Sequence, residues 1–483
     1  MKKFLALLMC FLLVFALAAC GDGGKNDGNT GDDPSITDPD DPSDPDDPED
    51  PDEPGKQEYT WNSEPVVTET FFDDFENGID RTKWTSTNTG WGENNNGVST
   101  DNVMYSTNKE KVEAEGATGG IVVLKATGDY AANKNEKREG AVLITRDDYG
   151  AGKYEVRMKV LPREGQCTAI WTYFNGTPNA TDLEDSKYSE IDIELPEGGD
   201  FREMSATTYE KYIDKTNMNQ TSSHFTLEEK GLDFISLNDG DWHTFAFEWR
   251  TDDDGERGII WYIDDVPVVK YTTDVPVYTA PLWIGTHFPD NPSWLGVPNF
   301  ETAYMYIDWV RITSYDEETI DESNGSEGDF TFTDLGNADI PQNNFISNGT
   351  FDQGTESSAV AWSADRNSTI VRGSENYVNY LQVNPGNTIY QEIDNQYKGH
   401  TLQLVVNAKI TGGSGTLHVY LEEMYGGILS QGTSEEIEFR HTISGEKTLT
   451  YQIKDDDTDS IRVVFKTDEG TTAQITSVEL YYA

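Results

Sequence analysis

Three carboxylates share one short stretch, Ser189-Glu190-Ile191-Asp192-Ile193-Glu194-Leu195. In a β-strand successive side chains point to opposite faces. Glu190, Asp192 and Glu194 then line one face, and Ile191, Ile193 and Leu195 the other. The aliphatic row is suited to burial, whereas three like charges in a row give no structural gain. Two carboxyl groups flanking a scissile bond are the working parts of glycoside hydrolysis, one as nucleophile or base and one as general acid. Retaining enzymes hold them about 5–5.5 Å apart and inverting enzymes about 6.5–9.5 Å. On a flat strand the Cα atoms of Glu190 and Glu194 are ~13 Å apart. The strand must therefore lie on the inner face of a bent sheet, where long Glu side chains converge. Asp192 adds a like charge between them, which raises a neighbour's pKa and helps one carboxyl keep its proton. A solvent-facing acidic strand fits the same pattern.

Aromatic residues surround this row in the sequence. Trp171 and Tyr173 lie on an adjoining candidate strand, TAIWTYF, and Tyr209, Phe288 and Trp294 follow. Exposed aromatic faces stack on the apolar C–H face of sugar rings, so these five are candidates to line a cleft. Each taken alone also fits a core. His287, in GTHFPD, reads as a packing residue under a loop. Cys167, the one Cys beyond the first twenty residues, reads as a small packing residue.

The elements that must position these residues are β-strands. Thr, Val, Tyr and Gly are common and Ala/Leu-rich helical stretches are scarce. Tyr154, Val156, Met158 and Val160 alternate with polar residues, as do Phe245, Phe247 and Trp249; GIIWYIDDVPVVKY reads as a hairpin turning at Asp264-Asp265. Many short strands with little helix imply an all-β sandwich or jelly roll over residues 65–316. An acidic linker, 317–340, precedes a second β-sandwich at 341–483. The formal net charge of −53 excludes nucleic acid as a partner.

Residues 1–20 have a basic start, an apolar run and small residues before Cys20, the pattern of a secretory leader. Leu17-Ala18-Ala19-Cys20 resembles a bacterial lipobox, which implies lipidation of Cys20. The expected location is the bacterial cell envelope, on an outer membrane or cell surface facing outward. Residues 21–64 are an Asp/Pro-rich spacer; 21–58 hold 15 Asp or Glu and two Lys.

The segments YGAGKYEVRMKV, TAIWTYF, SEIDIE, WHTFAFEWR, IIWYIDDVPV, SWLG and MYIDWVRI, in this order over about 250 residues, resemble glycoside hydrolase family 16. The resemblance implies a concanavalin A-like jelly roll, with Glu190 as nucleophile, Glu194 as general acid/base and Asp192 tuning the pair. The uninterrupted E-x-D-x-E form is similar to that of lichenases. Trp171, Tyr173, Tyr209 and Trp294 match lichenase cleft positions. Asp308, in YIDWV, matches the carboxylate of a structural calcium site, the only metal implied; catalysis needs no cofactor. Val142 and Ile144 stand where lichenases have Glu and Arg, and Thr286 and Phe288 stand for the Asn and Trp of a cleft strand.

The C-terminal unit resembles carbohydrate-binding modules of families 4, 9 and 22 through NFISNGTFDQGT and Trp362, with Tyr377, Tyr380, Tyr420 and Tyr425 as candidate sugar platforms. The run Asp455-Asp456-Asp457-Thr458-Asp459 reads as a turn. Together these readings imply a monomeric, lipid-anchored retaining endo-β-glucanase acting on β-1,3-1,4-glucan or β-1,3-glucan. The alternatives are a non-catalytic surface glycan-binding lipoprotein and a family 16 enzyme acting on xyloglucan or a galactan, transglycosylation included.

Overall fold

The computed structural model describes residues 59–90, 96–128, 138–195, 201–232, 236–289, 291–298, 300–322 and 325–483. The leader with Cys20, and the segment 196–200 that follows Leu195, lie outside the described residues. The longer strands of the first unit are β1 (Val67–Asp73), β2 (Ile121–Thr127), β3 (Glu139–Thr145), β4 (Gly152–Lys159) and β5 (Cys167–Asn175). They continue with β6 (Tyr188–Leu195), β7 (Glu203–Asp214), β8 (Asn217–Thr226) and β9 (His243–Thr251). The last are β10 (Arg257–Ile263), β11 (Leu282–His287) and β12 (Thr302–Tyr315).

These strands form two antiparallel layers. One runs β3-β11-β5-β6-β7-β8. The other runs β2-β12-β4-β9-β10, with β1 on the far end of β12. The layers meet where Thr127 of β2 pairs with Glu139 of β3. The alternation read from sequence decides which side chains fill the space between them. Tyr154, Val156 and Met158 of β4, Phe245, Phe247 and Trp249 of β9, and Ile191, Ile193 and Leu195 of β6 are all buried in one core. This is the all-β jelly-roll sandwich expected. The hairpin after β10 turns on Asp264 and Asp265, both with positive φ (47° and 64°), the backbone that a two-residue hairpin loop requires.

Residues 342–483 hold a six-stranded and a five-stranded sheet around a separate core that includes Phe345, Leu404, Val419 and Phe465. Trp362 is buried in that core against Phe351 and Phe465. Asn348, the Asn of SNGTF, has a φ of 51°. Its side chain donates to the carbonyls of Gln353 and Val360 at 2.9 and 3.0 Å and accepts from the Gln353 N–H at 3.0 Å. The motif knits a loop and offers no sugar platform itself. The Asp455–Asp459 run is a turn. Buried Glu423 accepts from Lys454 N–H, Asp455 N–H and Thr458 Oγ1, each at 2.9 Å.

The acidic linker at 317–340 packs against the first unit. Glu317 accepts from the Thr251 N–H, and the Gly325 N–H donates to Asp148 at 2.7 Å. Phe332 is buried in the first unit's core. Thr333-Asp334 pairs in parallel with Met104-Tyr105. Two aromatic residues, Phe330 and Phe332, thus convert an acidic run into a strap. The second unit docks directly on the first. Arg163, itself buried, donates to the carbonyls of Asn344 and Phe345 at 3.2 and 3.0 Å. Tyr304 and Asn343 exchange two hydrogen bonds of 2.8 and 2.9 Å, and Ser236 and His400 share one of 2.9 Å.

Candidate active site

Strand β6 pairs with β5 and β7 without a register shift from Glu190 to Glu194. The three acids therefore stay on one face, the face turned away from the core. Its backbone is pinned from behind: Trp261 Nε1 of β10 crosses the core and donates to the Asp192 carbonyl at 3.0 Å. Although they point outward, Glu190 and Asp192 are only 8% and 7% exposed. The outer face of this sheet is thus a recessed groove. Glu194 is half-buried.

Cross-strand pairing decides what else lines the groove. Glu190 lies opposite Tyr173 on β5 and Tyr209 on β7, and Asp192 opposite Trp171 and Thr207. Trp171 stacks on Trp283 of β11 with centroids 5.5 Å apart, and Trp294 packs on the same cluster. Tyr209 accepts from Gln220 Nε2 at 2.7 Å. Four tyrosines gather at the Glu190 end. Tyr188 meets Tyr173 and Tyr209 edge-on at 5.7 and 6.2 Å and lies tilted against Tyr212 at 5.2 Å. The Tyr188 hydroxyl donates to Glu190 Oε2.

The structure brings Trp171, Tyr173, Tyr209 and Trp294 together around the acidic row. Phe288 is a correction. It has no exposed surface and stacks on Phe300 inside the sandwich core. The alternation of β11 sends Trp283, Gly285 and His287 to the groove face and Leu282, Ile284, Thr286 and Phe288 inward. The cleft positions are thus one residue away from Thr286 and Phe288. His287 is buried against Trp171 at 6.1 Å, in keeping with packing, and burial lowers its pKa to about 4. Trp283, Tyr188 and Tyr212 were not singled out from the sequence. All three needed strand pairing: β5–β11 sets Trp283 against Trp171, and the tyrosines come together through the β6–β7 register.

Burial pushes the carboxyl pKa of Glu190 upward, the Tyr188 hydrogen bond opposes it, and the charge of Glu194 pushes it further up. Asp192 is raised well above the usual range by burial and by both glutamates. Three adjacent anions cannot all persist in a groove this dry. Burial and the two glutamates thus favour the protonated form of Asp192, hydrogen-bonded to Glu190.

Residues 86–310 match the sequence model of Glycosyl hydrolases family 16. This segment is similar to that family. The matched segment is 31% identical over 170 residues to a beta-glucanase of Bacillus amyloliquefaciens, covering 34% of this chain and 59% of the relative. It is 30% identical over 185 residues to a beta-glucanase of Paenibacillus polymyxa, covering 37% and 66%. The match thus spans about three-fifths of the Bacillus relative's length. Among solved structures, a beta-1,3-1,4-glucanase (lichenase) derived from a mouse hindgut metagenome aligns with 24% identity and a TM-score of 0.37, over 50% of this chain and 98% of that one.

On the opposite sheet of this segment, Asp308 sits at a register break between β12 and β4, a β-bulge, and is covered by the Thr118 segment. It has no exposed surface. Oδ1 accepts from the Thr118 N–H at 2.7 Å and the Thr118 hydroxyl at 3.0 Å. Oδ2 takes the Arg157 guanidinium, which also reaches the Gly116 carbonyl at 3.4 Å. A calcium ion would need that carboxylate and such carbonyls as oxygen ligands. Here a fixed cation already holds both, so the residues present do not fit a calcium ion.

Proposed function

We propose that this chain is a retaining endo-β-glucanase acting on mixed-linkage β-1,3-1,4-glucan. The observation that carries the reading is the unbroken Glu190-Asp192-Glu194 row in a recessed groove walled by Trp171, Tyr173, Tyr209, Trp283 and Trp294. The beta-glucanase relatives support the substrate class. Glu190 attacks the anomeric carbon while Glu194 donates its proton to the glycosidic oxygen. The C–O bond breaks, the leaving chain departs as an alcohol, and Glu190 is held as a glycosyl ester. Glu194, now ionised, takes a proton from water. The hydroxide formed attacks the same carbon and Glu190 leaves as a carboxylate, so two inversions give net retention. Asp192 stays protonated, donates to Glu190, and spares the row a third charge.

Glu190→Ala and Glu194→Ala are each expected to lower turnover of barley β-glucan by about 10³-fold or more with the far-UV spectrum unchanged. Proton NMR of the first product should show the β-anomer. Full activity in Glu190→Ala, or an α-anomer as first product, overturns the mechanism. Laminarin assayed in parallel separates β-1,3-glucan from mixed-linkage glucan. The leader supports a lipid anchor at Cys20, which would place the groove at the outside of a bacterial envelope, where polysaccharide is met.

A further inference from the structure

We propose that Tyr188 is a positioning residue for the proposed nucleophile: its hydroxyl holds Glu190 through Oε2 and aims the carboxylate. The inference rests on the reading of Glu190 as nucleophile. Tyr188 is 1% exposed, and a buried phenol must find an acceptor. A phenol with only a packing role can take any nearby carbonyl, yet this one takes the carboxylate two residues on along the same face of β6. The ring has little freedom to turn away, because Tyr173, Tyr209 and Tyr212 hold it on three sides. The hydroxyl direction is thus set by packing before any substrate arrives.

The chemistry gives this hydrogen bond a direction. A phenol donates more strongly to an ionised carboxylate than to an ester oxygen. It therefore favours the states in which Glu190 carries its charge, which are the free enzyme and the departing carboxylate of the second step. It opposes burial, the largest influence raising the Glu190 pKa. The groups facing Glu190 are Asp192 and Glu194 on β6, Tyr173 on β5, and Tyr209 and Tyr212 on β7. Together with Tyr188 itself, Asp192 is the group whose hydrogen bond stabilises its charge.

The test is the pH dependence of kcat/KM on barley β-glucan for the full chain and for Tyr188→Phe. Loss of the donor should move the acid limb up by about one pH unit, a tenfold loss on its slope. kcat should fall more than KM changes. Tyr212→Phe, which removes a hydroxyl from the same cluster, should leave the acid limb in place. An unshifted acid limb in Tyr188→Phe, with a lower melting temperature alone, overturns the proposal and leaves Tyr188 a packing residue. Tyr188→Met, apolar and of similar length, replaces the Phe variant if that one does not fold. Glu190→Gln in the same series separates the two readings. An inactive Glu190→Gln beside an unshifted Tyr188→Phe refutes the role of Tyr188 alone. An active Glu190→Gln refutes the nucleophile assignment and the positioning role with it.

Discussion

Asp192 has 7% of its surface exposed and lies between two glutamates. Its raised pKa has a defined consequence for stability. The unfolded chain releases this proton near pH 4, whereas the folded chain holds it to a much higher pH. Its contribution is therefore greatest at low pH and is lost as pH rises towards the folded value. Asp192→Asn keeps the shape and removes the penalty. Its melting temperature should exceed that of the parent by about 2–4 °C at pH 8, the shift expected for roughly 1 kcal/mol in a domain of this size. The two should converge near pH 4, and activity should fall. Equal melting temperatures at pH 8 would show that Asp192 is not the proton holder. Trp283 is the second residue to test. Trp283→Ala removes half of the stacked Trp171–Trp283 pair, and KM for β-glucan should rise about tenfold with little change in kcat.

At the scale of elements, β4 and β12 are clamped by Arg157 and Asp308 where the bulge breaks their register. Arg157 also lies 5.2 Å from the Trp242 ring, so three segments converge on one guanidinium. Melting in EDTA and in millimolar calcium should give the same temperature. Arg157→Met leaves a buried carboxylate without its cation and should cost about 3 kcal/mol. A parent protein whose melting temperature drops in EDTA would contradict the clamp. The same logic explains Glu423 in the second unit, whose four donors include the Tyr451 hydroxyl at 2.5 Å. There an acid is spent on holding a loop, whereas on β6 the acids face a groove.

At the scale of the whole molecule, two sandwiches with separate cores are joined by a packed strap and by a buried arginine. Arg163 satisfies two carbonyls of the second unit, and it packs over the Phe300 ring at 5.6 Å. The parent chain should therefore unfold in one calorimetric transition. Arg163→Ala leaves those carbonyls without their donor and should separate the two units into two transitions; a single unchanged transition would show that the docking is held elsewhere. Deleting residues 341–483 should weaken binding to insoluble glucan more than turnover of short oligosaccharides. Equal binding would remove a glycan-binding role from the second unit.

The sequence by itself determined the strands, their faces and the acidic row. Period-two alternation is a local property, and burial of one face follows from it wherever a sheet forms. Ile191, Ile193 and Leu195 were legible in this way, and so were Tyr154, Phe247 and the Asp264-Asp265 turn. Placing Phe288 at a cleft position of the family was the error, since nothing local says which parity of β11 faces the groove. Only the tertiary structure decided that, by setting Trp283 against Trp171. It also placed Tyr188 on Glu190, gave Asp308 a guanidinium partner 151 positions away, and folded the acidic strap down through Phe330 and Phe332. Each of these depends on partners distant in the chain, and the charge of a buried group depends on what the fold brings beside it.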